Sequence, residues 1–359
     1  MILLVVGIKS FAFDLSPKGT RFDQDAVKEW APSVIDKILS KLAGKGLEKF
    51  KEPVHEEITQ RIYGCNYELA TLCGDPDGQW ASPYVIAGIR WNDDPPFQLN
   101  ANQAKGLHCK IEYKDRRKVT IRFITQPDCW AELFLAGEHT IAKAPATKFD
   151  QASKAILPLR SHYGDLQFLH SMASESGESP VETRRKILGW AQFTWSVVRG
   201  ENGLGVWLKD IDQPVIQQVF GNSGWRVQDL FTMGDETMRE YVGDVAFGSL
   251  LHTVQDSFAL GHVDRLEPAI GSLCPGSTFP MTGPIREFHS YLGQSSSSHA
   301  KADERMAFAQ NRRNPDVVDV GRILLELRRS KAEWSAVEAY LQCVYNFAPN
   351  VANASPGSF

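Results

Sequence analysis

The segment Leu251–His262 carries two histidines and an aspartate at spacings that could bind a metal ion. On a helix, His252 and Asp256 are four residues apart and project from one face, so that an imidazole and a carboxylate can hold the same cation. His262 follows Asp256 by six residues, which places it about 240° further round an ideal helix. We expect Gly261 to break the helix and redirect His262 toward Asp256. One carboxylate can bridge two cations, so the segment predicts two neighbouring metal positions.

A second histidine–aspartate pair lies downstream in His299-Ala300-Lys301-Ala302-Asp303, with the same His-x-x-x-Asp spacing. The serine tract Ser295–Ser298 precedes it and is typical of a helix start, so we expect this pair on one face of another helix. The pair would complete the metal position that His262 begins.

These residues resemble the zinc-dependent phospholipase C and S1/P1 nuclease superfamily of secreted α-helical phosphodiesterases. The family's hallmark is a His-x-x-x-Asp-x-x-x-x-x-His core, followed by His-x-x-x-Glu in the phospholipases and by His-x-x-x-Asp in the nucleases. This chain has the core and the nuclease form of the downstream pair. The family also carries, upstream, a Trp-x-Asp element and then a Leu-His element. Trp91-Asn92-Asp93 and Phe168-Leu169-His170 supply these two elements in the same order.

The resemblance implies a multinuclear zinc site with two or three ions. One ion would be held by two aspartates and two histidines: Asp93, His170, His252 and Asp256. A second ion would be held by His262, His299 and Asp303. Asp256 would bridge to a third ion, for which His55 is the early histidine by position. Asp93, as a ligand near the attacking water, is the expected proton acceptor.

The third zinc position departs from the family, because no tryptophan stands at a plausible mature N-terminus. Met1–Ile8 is an apolar run, and Ser10-Phe11-Ala12 places small residues where a signal peptidase cleaves, so residues 1–12 are interpreted as a clipped secretory signal. A buried first strand is the alternative. Cleavage after Ala12 would expose the amine of Phe13, which we hypothesise folds back as a zinc ligand.

The cysteines support an oxidising compartment. There are six of them, an even number, and one bridge could close the short segment between Cys65 and Cys73. None lies in a Cys-x-x-Cys arrangement, so a thiolate zinc site is not expected. Together with the N-terminal segment, they predict a secreted or periplasmic protein. No other stretch approaches the length of a transmembrane helix.

The proposed ligand set suits hydrolysis of a phosphodiester. A phosphodiester is anionic and repels hydroxide, whereas grouped zinc ions neutralise it and lower the pKa of bound water toward neutrality. Imidazole nitrogens and carboxylate oxygens suit zinc, and an open coordination position leaves room for that water.

Several of these residues also have an ordinary structural interpretation. Asp94 is an alternative to Asp93 as the ligand, because the composition of the segment Asn92–Pro96 is equally typical of a turn. His55 lies in a His-Glu-Glu sequence that fits the first turn of any helix, where acidic residues are favoured by the helix dipole. His170 follows an apolar run and could be a core residue with satisfied hydrogen bonds.

The remaining histidines have no partner at metal spacing, and we interpret them as structural or exposed: His108, His139, His162 and His289. His289 would replace His299 if the alignment with the family slipped, but its fourth successor is Gly293 and not an acidic residue.

Helical periodicity dominates the chain. Apolar residues recur at three- and four-residue steps in five segments, predicted as helices: Ala26–Leu42, Val181–Val198, Met238–Leu260, Asp316–Leu327 and Ala332–Val344. Gly44 and Gly200 stand at expected helix stops, and Asp235, Asn314 and Ser330 at expected N-caps.

We therefore expect a mainly α, phospholipase C/P1 nuclease-like single domain over residues 13–359. One region breaks the helical pattern, since His108–Tyr113 and Lys118–Thr125 alternate or enrich β-branched residues around a polar turn. It predicts a small β-hairpin inserted at about residues 105–127.

The bulk charge limits the partners. A formal net charge of −4 gives no general attraction to nucleic acid or to an anionic membrane, so any polyanion must be held locally. The leading expectation is a phospholipase C acting on phospholipid headgroups at a membrane surface. The alternative is an S1/P1-type nuclease acting on single-stranded nucleic acid. A second alternative is a non-catalytic helical scaffold or toxin-accessory module.

Overall fold

The computed structural model describes residues 15–16, 19–20, 52–66, 73, 80–107, 109, 120–233, 235–310 and 313–359. Helices predominate over strands in these residues, which confirms the mainly α prediction. The α-helices are α1 Val54–Ile62, α2 Pro83–Trp91, α3 Ala101–Gly106, α4 Pro127–Lys143, α5 Leu157–Tyr163, α6 Pro180–Val198, α7 Pro214–Phe220, α8 Val227–Thr232, α9 Val242–Asp256, α10 Ser296–Ala302, α11 Arg305–Gln310, α12 Val317–Arg329 and α13 Trp334–Val344. Short 3₁₀ helices span Gln167–His170, Leu208–Asp210 and Glu236–Tyr241.

The described residues contain one small sheet. Its strands β1 Val263–Arg265 and β2 Ile285–Phe288 are antiparallel, and Val263 pairs with Phe288. The sheet directly follows α9 and His262, so it fixes the chain where it leaves the predicted metal-binding segment.

The predicted hairpin lies largely outside the described residues. Residues 108 and 110–119 are among those not described, and Ala101–Gly106 at the near edge of the insertion is helical. In the described end of the predicted second strand, Ile121 forms an isolated antiparallel bridge with Phe97, and a turn follows. The strand Lys118–Thr125 was therefore wrong over its described end, residues 120–125. The predicted helix Ala26–Leu42, its stop Gly44 and the N-terminal residues Met1–Phe13 also lie outside the described residues.

Helix periodicity predicted the other helices well. Val181–Val198 corresponds to α6, Asp316–Leu327 to α12 and Ala332–Val344 to α13. The predicted helix Met238–Leu260 was too long. Its first residues belong to a 3₁₀ helix, and the α-helix α9 begins at Val242 and ends at Asp256.

The caps were predicted less well. Asp235 caps the 3₁₀ helix by accepting a hydrogen bond from the Thr237 amide, as expected. Asn314 was wrong as an N-cap, because the Asp316 side chain accepts the Val318 and Asp319 amides at the start of α12. Ser330 was wrong as well, since it is the C-cap of α12 while α13 begins after Glu333.

Helix α9 is the central element of the fold. Its sequence from Val245 to Asp256 is buried without interruption, as expected for a helix surrounded by other elements on all sides. Helix α2 crosses it with the two backbones in direct contact. A methyl group added at Gly88 would overlap the Val245 carbonyl, and one added at Gly248 would overlap the Val85 carbonyl. The paired glycines therefore bring Asp93, just after α2, close to His252 and Asp256 on α9.

The apolar core surrounds this crossing. On α6, Trp190, Phe193 and Trp195 are fully buried, and the indole of Trp190 stacks on Trp91 at the end of α2. The indole nitrogens are satisfied, because Trp190 Nε1 donates to Ser249 Oγ and Trp91 Nε1 donates to the Leu230 carbonyl. Bulky side chains thus hold α2, α6 and α9 together.

Three disulfide bonds join described residues: Cys65–Cys73, Cys109–Cys129 and Cys274–Cys343. The first is the bridge predicted from the sequence. Disulfides of this number are typical of proteins from an oxidising compartment. Among the helices that the structure describes, none combines the length and the apolar composition needed to cross a membrane.

Candidate metal centre

The eight residues predicted as metal ligands converge at one place in the fold, and a ninth joins them. They come from separate segments: His55 on α1, Asp93 after α2, His162 on α5, His170 in a 3₁₀ helix, His252 and Asp256 on α9, His262 in the following turn, His299 on α10 and Asp303 just after it. Each of the nine is at most 4% exposed. Buried ionisable groups at this density require partners or a cation.

The most compact trio is formed by His170, His252 and Asp256. Oδ2 of Asp256 lies 2.9 Å from Nδ1 of His170 and 2.9 Å from Nε2 of His252, and the two nitrogens are 3.2 Å apart. Ligand atoms about 2.0–2.1 Å from a tetrahedral zinc ion are separated by about 3.3 Å. The three donor atoms could therefore hold one metal ion after small adjustments.

Asp93 lies beside this trio and faces imidazoles with both of its oxygens. Oδ2 is 3.9 Å from Nε2 of His55 and 3.9 Å from Nε2 of His252, while Oδ1 is 3.7 Å from Nδ1 of His170. His55 also approaches Asp256, with Nε2 3.3 Å from Oδ1. His55, Asp93 and His252 form a second group that could hold a metal ion.

A further group consists of His262, His299 and Asp303. Nε2 of His299 is 3.3 Å from Oδ2 of Asp303, and Nε2 of His262 is 3.9 Å from Oδ1 of the same carboxylate. The rings of His262 and His299 stack with centroids 5.0 Å apart. Nδ1 of His262 lies 3.8 Å from Oδ2 of Asp256, so this group is next to the first trio. The order of motifs in the sequence predicted both groups.

Hydrogen bonds fix the imidazole orientations. Nδ1 of His252 donates to the Ile89 carbonyl at 2.6 Å, and Nδ1 of His262 donates to the His170 carbonyl at 2.6 Å. A carbonyl only accepts, so Nδ1 carries the proton, and in the neutral ring Nε2 presents its lone pair to the carboxylates. Nδ1 of His55 likewise contacts Oε1 of Gln255 at 2.6 Å, and Nε2 of Gln255 donates to Thr59. Such tethers are characteristic of metal-ligating histidines.

An unsatisfied ring nitrogen also indicates a cation. Nε2 of His262 is buried and has no hydrogen-bond partner among the described residues. A buried polar atom without a partner costs free energy, whereas a metal ion at the same place would accept its lone pair. The donor set therefore fits a divalent cation.

The local electrostatics match this arrangement. Burial, followed by the nearby His55, lowers the pKa of His252 to about 4, and burial lowers the pKa of His262 to about 4. Both rings are neutral at pH 7, which is the form that binds metal. Burial raises the pKa of Asp256, but the surrounding imidazoles outweigh it and hold that pKa well below its usual range. Burial lowers the pKa of His55, but Asp256 and Asp93 outweigh it and raise that pKa above its usual value.

The structure separates Asp93 from its competitor Asp94. The Asp94 carboxylate accepts the backbone amide of Phe123 with both oxygens, at 2.9 and 3.1 Å, and so connects α2 to a neighbouring turn. His289 is buried outside the metal groups of the described residues, where its Nδ1 approaches the Gly261 carbonyl. His139 is exposed. The sequence interpretation of these three residues therefore agrees with the structure, and His108 lies outside the described residues.

His162 was interpreted from the sequence as structural or exposed, and the structure shows it buried beside two of the predicted ligands. It is buried at the end of α5 and forms a further group with Asp93 and His170 that could hold a metal ion. No acidic residue stands four positions from it, and its carboxylate neighbour Asp93 lies on a different element, so spacing gave no signal. The proposed amine ligand at Phe13 cannot be placed, since that residue lies outside the described residues.

A cavity of about 680 Å³ lies next to the centre. Tyr163, which follows His162, and Tyr291, whose ring meets that of His299 edge-on with centroids 5.5 Å apart, both line it. Gln294 also lines it and donates to the Gly261 carbonyl at 2.7 Å. The cavity therefore lies near the centre through these neighbouring residues, while none of the nine clustered side chains is part of its lining.

The cavity lining is acidic. Five carboxylate side chains line it, against two lysines: Glu138, Asp150, Asp165, Glu175 and Glu178, with Lys148 and Lys186. Both lysines face carboxylates, because Nζ of Lys186 donates to Glu178 at 2.5 Å and Nζ of Lys148 lies 4.0 Å from Glu175. Asp165 is also paired, with Arg160, so the remaining excess of carboxylates over lysines gives the lining a modest acidic character.

Comparison of the chain with protein-family models, with curated proteins and with solved structures gives no match.

Proposed function

We propose that this protein is a zinc-dependent phosphodiester hydrolase. One observation carries the proposal: side chains from distant segments bring three carboxylates and six imidazoles into one buried cluster, and hydrogen bonds orient ring nitrogens into it. Imidazole and carboxylate donors with these separations suit zinc. The motif order resembles that of the phospholipase C and S1/P1 nuclease superfamily, and that resemblance supplies the reaction class.

The proposal gives each group a role. Asp93, His170, His252 and Asp256 would hold one ion, and His262, His299 and Asp303 would hold another. Bound zinc supplies charge neutralisation for the phosphate and activation of water. Asp93 has oxygens facing both sides of the cluster and is the proposed acceptor of the proton from that water. His55 marks the third position, beside Asp256.

A phospholipid is the leading substrate. The phosphate of a phospholipid is joined to a small headgroup that often carries a positive charge, and the acidic cavity beside the centre suits such a group. A polynucleotide brings further phosphates next to the scissile one, and the same carboxylates repel them. The three disulfides are consistent with the proposed secretion to an oxidising compartment.

Single-stranded nucleic acid is the second candidate. The contact between His299 and Asp303 favours it, because an aspartate in this pair is the nuclease form of the motif. The two substrates differ in what is released, so direct assays on both distinguish them.

The experiment compares Asp93→Asn with its neighbour Asp94→Asn. Zinc-loaded protein is assayed for headgroup release from phosphatidylcholine vesicles and for cleavage of single-stranded DNA. We expect Asp93→Asn to lower kcat at least about 100-fold, because it removes a proton acceptor and a ligand. Asp94→Asn keeps the negative charge of Asp93 and should retain most of the activity. The proposal fails if the wild-type protein hydrolyses neither substrate, or if both variants lose activity equally.

A further inference from the structure

His162 is held in a rigid, buried setting. It lies on α5, whose residues Leu157–Tyr163 are all buried, and the Phe134 ring meets the imidazole edge-on with centroids 4.8 Å apart. Nδ1 of His162 donates to the Pro158 carbonyl at 3.0 Å and is also 2.8 Å from Ser161 Oγ. The ring orientation is therefore set by packing and by the helix backbone.

This tether defines which nitrogen faces the cluster. The Pro158 carbonyl only accepts, so Nδ1 carries the proton and Nε2 has the lone pair in the neutral ring. Nε2 lies 3.9 Å from Oδ1 of Asp93, a carboxylate oxygen that is also an acceptor. An imidazole nitrogen and a carboxylate oxygen are both donors to divalent cations, and these two atoms belong to one group that could hold a metal ion. His252 and His262 have the same arrangement, with Nδ1 on a backbone carbonyl and Nε2 toward a carboxylate.

The separations are compatible with one shared ion. Oδ1 of Asp93 is 3.9 Å from Nε2 of His162 and 3.7 Å from Nδ1 of His170. Two donors about 2.1 Å from the same zinc ion lie about 3 to 4 Å apart for angles between about 90° and 150°. The rings of His162 and His170 are also close, with centroids 5.2 Å apart.

We infer that His162 is a ligand, through Nε2, of a divalent cation that Asp93 and His170 also hold. His162 thus adds a nitrogen donor to the four ligands that the family resemblance implies for the first ion. The inference rests on the metal centre of the proposed function but not on phosphodiester hydrolysis. Because α5 continues into Tyr163 at the cavity wall, this ligand also joins the centre to the cavity.

The test compares His162→Gln with His289→Gln. Both imidazoles are buried, and both have Nδ1 near a backbone carbonyl, but His289 belongs to none of the metal groups of the described residues. Zinc content is measured after dialysis, and zinc affinity is measured by chelator competition. We expect His162→Gln to lose one equivalent of zinc or to bind it at least 100-fold more weakly, while His289→Gln keeps the wild-type values. Equal zinc content and affinity in all three proteins would overturn the inference.

A second measurement does not depend on the folding of a variant. Crystals of the zinc-loaded wild-type protein, examined by anomalous diffraction at the zinc edge, locate each ion. An ion within about 2.3 Å of Nε2 of His162 supports the inference, and the absence of an ion within about 3 Å overturns it.

The two proposals fail in different ways. Zinc bound at His162 without hydrolysis of either substrate would support the ligand and overturn the enzymatic function. Hydrolysis with unchanged zinc binding in His162→Gln would support the function and overturn the ligand. Wild-type protein that binds no zinc would overturn both.

Discussion

Glu138 offers a test of the cavity at the level of one side chain. It is partly buried on α4 and lines the cavity, and burial raises the pKa of its carboxyl from 4.5 to about 7. Between these pH values the folded protein binds a proton that the unfolded chain releases, so the free energy of unfolding falls as pH rises from 4.5 to 7. We predict that Glu138→Gln becomes increasingly more stable than the wild type across this range.

Thermal melting of both proteins between about pH 4.5 and 8 measures the effect. Glu132→Gln is the matched control, since it removes a carboxylate from the same helix at a position that does not line the cavity. A difference between Glu138→Gln and the wild type that stays constant with pH would show that Glu138 ionises as it does in the unfolded chain.

At the same scale, sequence spacing was informative only within one element. His252 with Asp256, and His299 with Asp303, are four residues apart, and in the structure each pair makes a direct contact. Helix geometry alone requires this proximity. His162 could not be found in the same way, because its contact to Asp93 depends on how α5 packs near the end of α2. The function of all these residues as metal ligands stays a prediction.

At the scale of elements, the crossing of α2 and α9 positions the centre. The backbones meet at Gly88 and Gly248, where a methyl group has no room. We predict that Gly248→Ala lowers the free energy of unfolding by about 1–3 kcal/mol, because the added methyl forces the helices apart. It should also weaken zinc binding, since Asp93 would move away from His252.

Gly243→Ala provides the control on the same helix. A methyl group there would be no closer than 3.6 Å to its neighbours, which is ordinary contact. Alanine also favours the helical conformation over glycine, so this variant should be neutral or more stable. Chemical denaturation of both variants measures the difference. Equal effects would mean that the glycine contact does not limit how closely the helices pack.

Element boundaries were less predictable than the elements themselves. Apolar periodicity located α6, α12 and α13, but it ran past the end of α9, because the residues after Asp256 are also largely apolar. Gly261 was expected to break the helix, whereas α9 already ends at Asp256. The glycine has a different role, since an added methyl group would lie 2.8 Å from Nδ1 of His299. A small residue is needed at this position because of His299 on α10, which is distant in sequence.

At the scale of the whole molecule, the centre lies where separate parts of the chain meet. His55, Asp93, His170, His252 and His299 belong to five segments that bring their polar groups into one buried place. Three carboxylates buried in one place oppose folding unless positive charge compensates them. The order of motifs in the sequence predicted eight of the nine clustered residues, but neither His162 nor the distances, which follow from packing between elements far apart in the chain. Metal binding and global stability should therefore be coupled.

We predict that removing metal lowers the melting temperature of the whole molecule. At a free zinc concentration about 100-fold above Kd, each ion adds about 2.7 kcal/mol to the free energy of unfolding, so three ions add about 8 kcal/mol. For a chain of 359 residues this corresponds to a fall of about 10 °C on chelation, measured by calorimetry with and without a chelator.

Added zinc should restore the wild-type melting temperature, and Asp256→Asn should respond less to the chelator because it has already lost a central ligand. An unchanged melting temperature in a protein purified without bound zinc would instead support the non-catalytic helical scaffold, held by its apolar core and three disulfides.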